Sequence, residues 1–124
     1  VTDRVLSDPA PASVGSTPAQ TSISTTAALV LAANPKRKGL IVQNTGTTVI
    51  KLTLHATQVP TQTVYDVALG AGTGADDGTG GAYVDDAWVG NVFAISSGVG
   101  GTFVVKEFMT GNADWDSALY PGVR

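Results

Sequence analysis

The sequence predicts an all-β fold, an antiparallel two-sheet β-sandwich or jelly roll of about seven or eight short strands. Two observations predict it. Apolar runs are short and are separated by Gly, Pro or Asn turn signals about every 8 to 12 residues. Thr and Val, which suit strands, recur throughout, with 15 glycines for tight turns. Charged residues make up only 14% of the chain, against about 25% in ordinary soluble domains, so much of the surface is suited to meeting other protein.

Residues 1–20 place Pro9, Pro11 and Pro18 among Ser, Ala and Thr, with no large apolar residue between Leu6 and the end of the segment except Val14. Such a stretch buries too little surface to offset its own ordering. It reads as an extended N-terminal arm ordered by a partner, or as a frayed terminus. The sandwich domain spans residues 21–109. Thr21 to Thr25 alternates and favours a strand, and Ala28 to Ala32 is too short for a stable helix and reads as a second strand. Asn34-Pro35 then breaks the chain, because the residue before proline is pushed out of helical geometry.

The break delivers three cations, Lys36, Arg37 and Lys38, into Leu40-Ile41-Val42, which reads as a central strand ending at Asn44-Thr45-Gly46. That Asn-Thr-Gly turn suits a tight hairpin to the next strand. Thr48 to His55 alternates cleanly, with Ile50, Leu52 and Leu54 on one face and Lys51, Thr53 and His55 on the other. Further strands are read at Thr63 to Leu69, Ala82 to Val84, Asn91 to Ser96 and Thr102 to Phe108. Between the first two, Gly70 to Gly81 reads as a flexible surface loop. Residues 110–124 form an irregular C-terminal tail in which Trp115 and Tyr120 need a surface to bury against.

Several function classes fall away on composition. The chain has no cysteine and one histidine, so thiolate and multi-histidine metal sites have no ligands. Ten acidic against seven basic residues give a net charge of −3, which speaks against nucleic acid as a partner. No apolar run is long enough to span a bilayer, so no membrane partner is expected. A Val1 start fits removal of an initiator methionine, with no secretory signal.

Motifs for chemistry are thin. Gly70-Ala71-Gly72-Thr73-Gly74-Ala75 matches the letters of a dinucleotide fingerprint, but Asp76-Asp77-Gly78-Thr79-Gly80-Gly81 cannot open the helix that the pyrophosphate needs. Asp76, Asp77, Asp85 and Asp86 lack the full ligand pattern of a calcium loop. His55, on the polar face of its strand, has no Gly-x-Ser-x-Gly elbow to serve and reads as an exposed rim residue. No enzyme, cofactor, catalytic residue or metal site is therefore expected. Lys36, Arg37 and Lys38 read as a solvated turn, with contact to an acidic partner patch as the alternative.

The run from Leu31 through Asn34-Pro35-Lys36-Arg37-Lys38-Gly39-Leu40-Ile41-Val42-Gln43-Asn44-Thr45-Gly46, followed by Val89 to Ile95 and Phe103 to Glu107, resembles small β-sandwich virion proteins of tailed bacteriophages. These include capsid decoration (cement) proteins and head-fibre bases. The long Gly70 to Gly81 loop departs from that pattern. The resemblance implies a structural protein on the outer capsid surface, assembled in the host cytoplasm. Its partner would be the major capsid protein, and it would be a homo-oligomer, with a trimer favoured. Candidate capsid or subunit contacts are Pro9, Pro11, Pro18, Lys36, Arg37, Lys38, Trp115 and Tyr120. The alternative is a receptor- or glycan-binding module of a head or tail fibre, with Trp88 and Tyr83 as the stacking platform.

Overall fold

The computed structural model describes residues 13–110 and contains strands but no helix. In chain order the strands are β1 (Ser13–Gly15), β2 (Ala19–Ile23), β3 (Ala28–Leu31), β4 (Arg37–Asn44), β5 (Ile50–Leu54), β6 (Val67–Leu69), β7 (Ala82–Asp85), β8 (Val92–Ser96) and β9 (Gly101–Thr110). All pairings are antiparallel. The first sheet runs β1-β9-β4-β7, with β2 beside β1 on the same edge of β9. Its width is therefore four positions. The second sheet runs β3-β8-β5-β6.

The alternating residues meet between the sheets, as the strand period of two requires. Leu40, Val42 and Phe103 from the first sheet and Ile50, Leu52, Leu69, Val92 and Ala94 from the second form one buried cluster, closed by Ile23. β4 is indeed central in its sheet, flanked by β9 and β7. The expected hairpin at Asn44-Thr45-Gly46 is not one: β4 and β5 lie in different sheets. The reason is that Leu40 and Val42 face Ile50 and Leu52 across the core, so the turn must carry the chain from one layer to the other. β8 and β9 are likewise split between sheets by the Ser97 to Gly100 turn.

The boundary read at Thr21 falls inside β2, and pairing to β9 begins at Ser13, within the segment read as an arm. Thr63 to Asp66 is a turn rather than strand, with Thr61 N–H bonded to Val64 O at 2.8 Å. Residues 55–66 fold over the outer face of the second sheet. Thr53 donates to Gln58 O (2.6 Å), Lys51 Nζ to Gln62 O (2.6 Å) and Gln62 Nε2 to Ser96 O (2.8 Å). This cover explains why Thr53 and Ile95 are buried on the side opposite the core, with Pro60 buried as well. Among the described residues the outer face of the first sheet is covered less completely, and Val84 on it is 69% exposed.

Candidate functional site

The basic turn divides into two parts with different work. Asn34 organises it, its Oδ1 accepting the Lys36 N–H at 3.0 Å and its carbonyl the Arg37 N–H at 3.0 Å. Lys36 and Lys38 are exposed, but Arg37 is buried, a correction to the reading of three solvated cations. Its Nε pairs with Glu107 Oε1 at 3.0 Å, Nη1 donates to Gly90 O (2.8 Å) and Trp88 O (3.3 Å), and Nη2 donates to Ala32 O at 2.7 Å. A guanidinium buried with this many partners is a clamp joining β4, β9 and two loops, since a lone buried charge would be costly. Arg37 is therefore unavailable as a capsid contact.

Thr110 N–H donates to Lys36 O at 2.9 Å, and Thr110 pairs in register with Ser13. One corner of the sandwich thus gathers the start of β1, the end of β9 and the basic turn. The two ends of the described body, Ser13 and Thr110, meet at this corner. Pro9, Pro11, Trp115 and Tyr120 lie outside the described residues; Pro18 is exposed between β1 and β2.

The Gly70 to Gly81 loop is held by backbone bonds, contrary to the flexible-loop reading. Gly72 N–H donates to Gly46 O (2.8 Å), Gly81 N–H to Gly70 O (2.9 Å) and Asn44 N–H to Gly81 O (2.9 Å). Its glycines serve close approach: a Cβ on Gly80 would lie 2.0 Å from the Asn44 carbonyl oxygen. Beneath it Asn44, buried in β4, divides its two amide protons among Thr48 O (2.7 Å), Leu69 O (3.0 Å) and Gly70 O (3.1 Å), while Oδ1 accepts Gly46 N–H (3.0 Å). Every polar atom of that buried amide is satisfied.

Between the loop and the open face of the first sheet lies a cleft of about 320 Å³, lined by Gln20, Gln43, Thr73, Asp77 and Thr79 with Val104 at its floor. Asp77 accepts from Thr73 Oγ1 (2.9 Å) and Thr79 Oγ1 (2.7 Å), and these hydroxyls, Thr79 first, hold its carboxyl below the usual carboxylate range. Asp76 takes the left-handed backbone at φ 53°.

Tyr83 and Trp88 are not an open platform. Both pack against the core cluster, because Tyr83 faces Val42 in register on the inner side of the first sheet. The indole N–H of Trp88 donates to Asn91 O at 2.9 Å, and Gly90 lies so close to the ring that a Cβ there would meet it at 2.4 Å. Tyr83 Oη donates to Asp85 Oδ2 at 2.5 Å, and Asp85 Oδ1 accepts the N–H groups of Ala87 and Trp88, each at 2.7 Å. Burial and then the Asp85 bond push the phenol up to about 12, while the Tyr83 hydroxyl, with the two N–H groups, lowers the Asp85 carboxyl. Asp85 is thus committed to a turn rather than to calcium. His55 Nδ1 accepts from Thr57 N–H (3.0 Å) and Gln58 N–H (2.8 Å), capping the covering loop. Among the described residues no three His, Asp or Glu side chains converge on a metal position, and no helix is long and apolar enough to cross a membrane.

Sequence reasoning missed Arg37 as a clamp and Asn44 as a link between layers. The available signal was parity: Glu107 shares the inward alternation of Phe103 and Val105, and Asn44 that of Leu40 and Val42.

The chain matches no protein family and no curated protein. It is similar to a solved structure from work titled "Bacillus endospore appendages form a novel family of disulfide-linked pili", at 13% identity and a TM-score of 0.52, over 90% of this chain and 100% of that one. At that identity the likeness concerns the all-β fold alone. This chain has no cysteine, so disulfide linkage has no counterpart in it.

Proposed function

We propose that the chain is a structural protein of tailed-bacteriophage virions, a capsid decoration protein that binds the outer surface of the shell and stabilises it. Its role is binding rather than catalysis, and its partner is the major capsid protein. The observation that carries this reading is the corner where Ser13 pairs with Thr110 and Thr110 bonds to Lys36. A sandwich whose two described ends meet beside a basic turn is suited to gripping neighbouring subunits of a shell. The resemblance over Leu31 to Gly46, Val89 to Ile95 and Phe103 to Glu107 points the same way. Stabilisation follows from mass action: a ligand that binds only the assembled shell adds about 2.7 kcal/mol at a hundredfold excess over Kd.

The test uses shells that lack the protein. Adding the full chain is expected to raise occupancy and shell rupture temperature. Deleting residues 1–12, which stops short of β1, or reversing Lys36 to Glu, is expected to lower occupancy at least tenfold at low salt. Unchanged occupancy in both variants would sink the reading.

A second reading, a glycan-binding fibre module, is favoured by the polar cleft rather than by Trp88 and Tyr83. Its amides, hydroxyls and carboxylate over an apolar floor suit a sugar ring. Binding on a glycan array that Thr79→Ala abolishes would select it.

A further inference from the structure

The four sheet edges are not equally protected. β7 carries Asp85 and runs into Asp86, β3 shifts register between Leu29 and Leu31, and β6 is three residues long with Asp66 beside it. Charge, irregularity and shortness are the usual guards against edge pairing. Among the described residues β2, Ala19-Gln20-Thr21-Ser22-Ile23, has none of them: it is five residues long, uncharged and in unbroken register with β9, and its first four residues are exposed.

Its free hydrogen-bonding groups can be identified. Thr45 N–H donates to Thr102 O at 3.1 Å, so on β9 the backbone of Thr102 points toward β4 and that of Phe103 toward β2. Thr21 faces Phe103 in register. The N–H and C=O of Thr21 are therefore spent on β9, and those of Gln20 and Ser22 point away from the sheet. Pro18, lacking an N–H, closes one end of this open stretch. Ser24, whose carbonyl accepts Ser96 N–H at 2.9 Å, closes the other.

We propose that β2 pairs with β2 of a second copy of this chain, antiparallel about a two-fold axis at Thr21, merging two first sheets into one. This register is set by the free groups. Gln20 of each copy exchanges both backbone bonds with Ser22 of the other, which makes four interchain bonds. Centring on Gln20 instead would set Ser22 against Pro18, which has no proton to give. The side chains suit the axis: Thr21 meets its own copy, Gln20 meets Ser22, and Ala19 meets Ile23, with no charge to repel. An edge of this kind accepts a second copy without rearrangement. The proposal does not rest on the capsid reading. Five residues a side make a small interface, so pairing depends on concentration and strengthens where copies are held close together.

The test is cysteine linkage of the full chain at about millimolar concentration under mild oxidation. Facing residues of a non-hydrogen-bonded pair lie about 4.5 Å apart at Cα, within disulfide reach. Thr21→Cys is therefore expected to form a covalent dimer. Ser22→Cys places the two thiols two residues, about 7 Å, out of register along the strand and is expected to stay unlinked. Sedimentation equilibrium supplies a second measurement: mass rising with concentration toward a dimer in the unaltered chain, and association at least tenfold weaker in Thr21→Lys. Linkage at both positions, linkage at neither, or association that Thr21→Lys leaves unchanged, including a trimer that survives it, would overturn the proposal.

Discussion

At the scale of single residues, neighbours in one turn carry opposite roles. Lys36 points to solvent while Arg37 is buried against Glu107 and three backbone carbonyls. Arg37→Ala removes the donor from those three carbonyls and leaves the Glu107 carboxylate only the amide of Asn34, at 3.5 Å, and is expected to cost about 3 kcal/mol. Lys36→Glu is expected to change stability by less than about 0.5 kcal/mol; urea unfolding of the two variants checks both. Tyr83 and Asp85 set a pH window. The raised Tyr83 phenol adds stability that is fully present below its unfolded value near 10 and is lost as pH rises from there toward about 12. The lowered Asp85 carboxyl adds stability that is present above the ordinary value of about 4 and is lost as pH falls below it. The urea midpoint should therefore decline at both ends, with Asp85→Asn flattening the acid limb and Tyr83→Phe flattening both, since the Tyr83 hydroxyl is the first cause of the lowered Asp85 carboxyl.

At the scale of elements, the glycine-rich loop shows how composition misleads when read alone. Many glycines resemble looseness, yet here the missing side chains let Gly80 lie against the end of β4, Gly72 against Gly80, and Gly81 against Leu69 and Gly70. Gly80→Ala drives a Cβ into the Asn44 carbonyl and is expected to cost about 1–3 kcal/mol. The Gly72 and Asn44 amides should then lose protection from hydrogen exchange. Gly70→Ala, with open space around its Cβ, is the matched control and is expected to stay within about 0.5 kcal/mol. The strands themselves were legible because alternation is local: Ile50, Leu52 and Leu54 announce their face within a single strand. Whether the next strand belongs to the same sheet is not local, which is why Asn44-Thr45-Gly46 looks like a hairpin and is a crossing between layers.

At the scale of the whole molecule, the two sheets differ in what covers them. Residues 55–66 close the outside of the second sheet, whereas among the described residues the first leaves Val84 and Phe108 exposed and keeps one unguarded edge at β2. The corner of Ser13, Thr110 and Lys36 lies on this more open sheet, so both proposed contacts, to a shell and to a second copy, draw on the same layer. By itself the sequence determined the all-β class, the approximate positions of most strands, the central place of β4 and the break at Asn34-Pro35, since each follows from side-chain period and backbone restriction over a few residues. Only the tertiary structure decided which strands share a sheet, that Arg37 is buried, that Tyr83 and Trp88 face inward and that the glycine loop is pinned. Those outcomes depend on partners such as Glu107, Gly90, Val42 and Asn44 that lie far along the chain, and no local pattern specifies which distant backbone will be there to meet them.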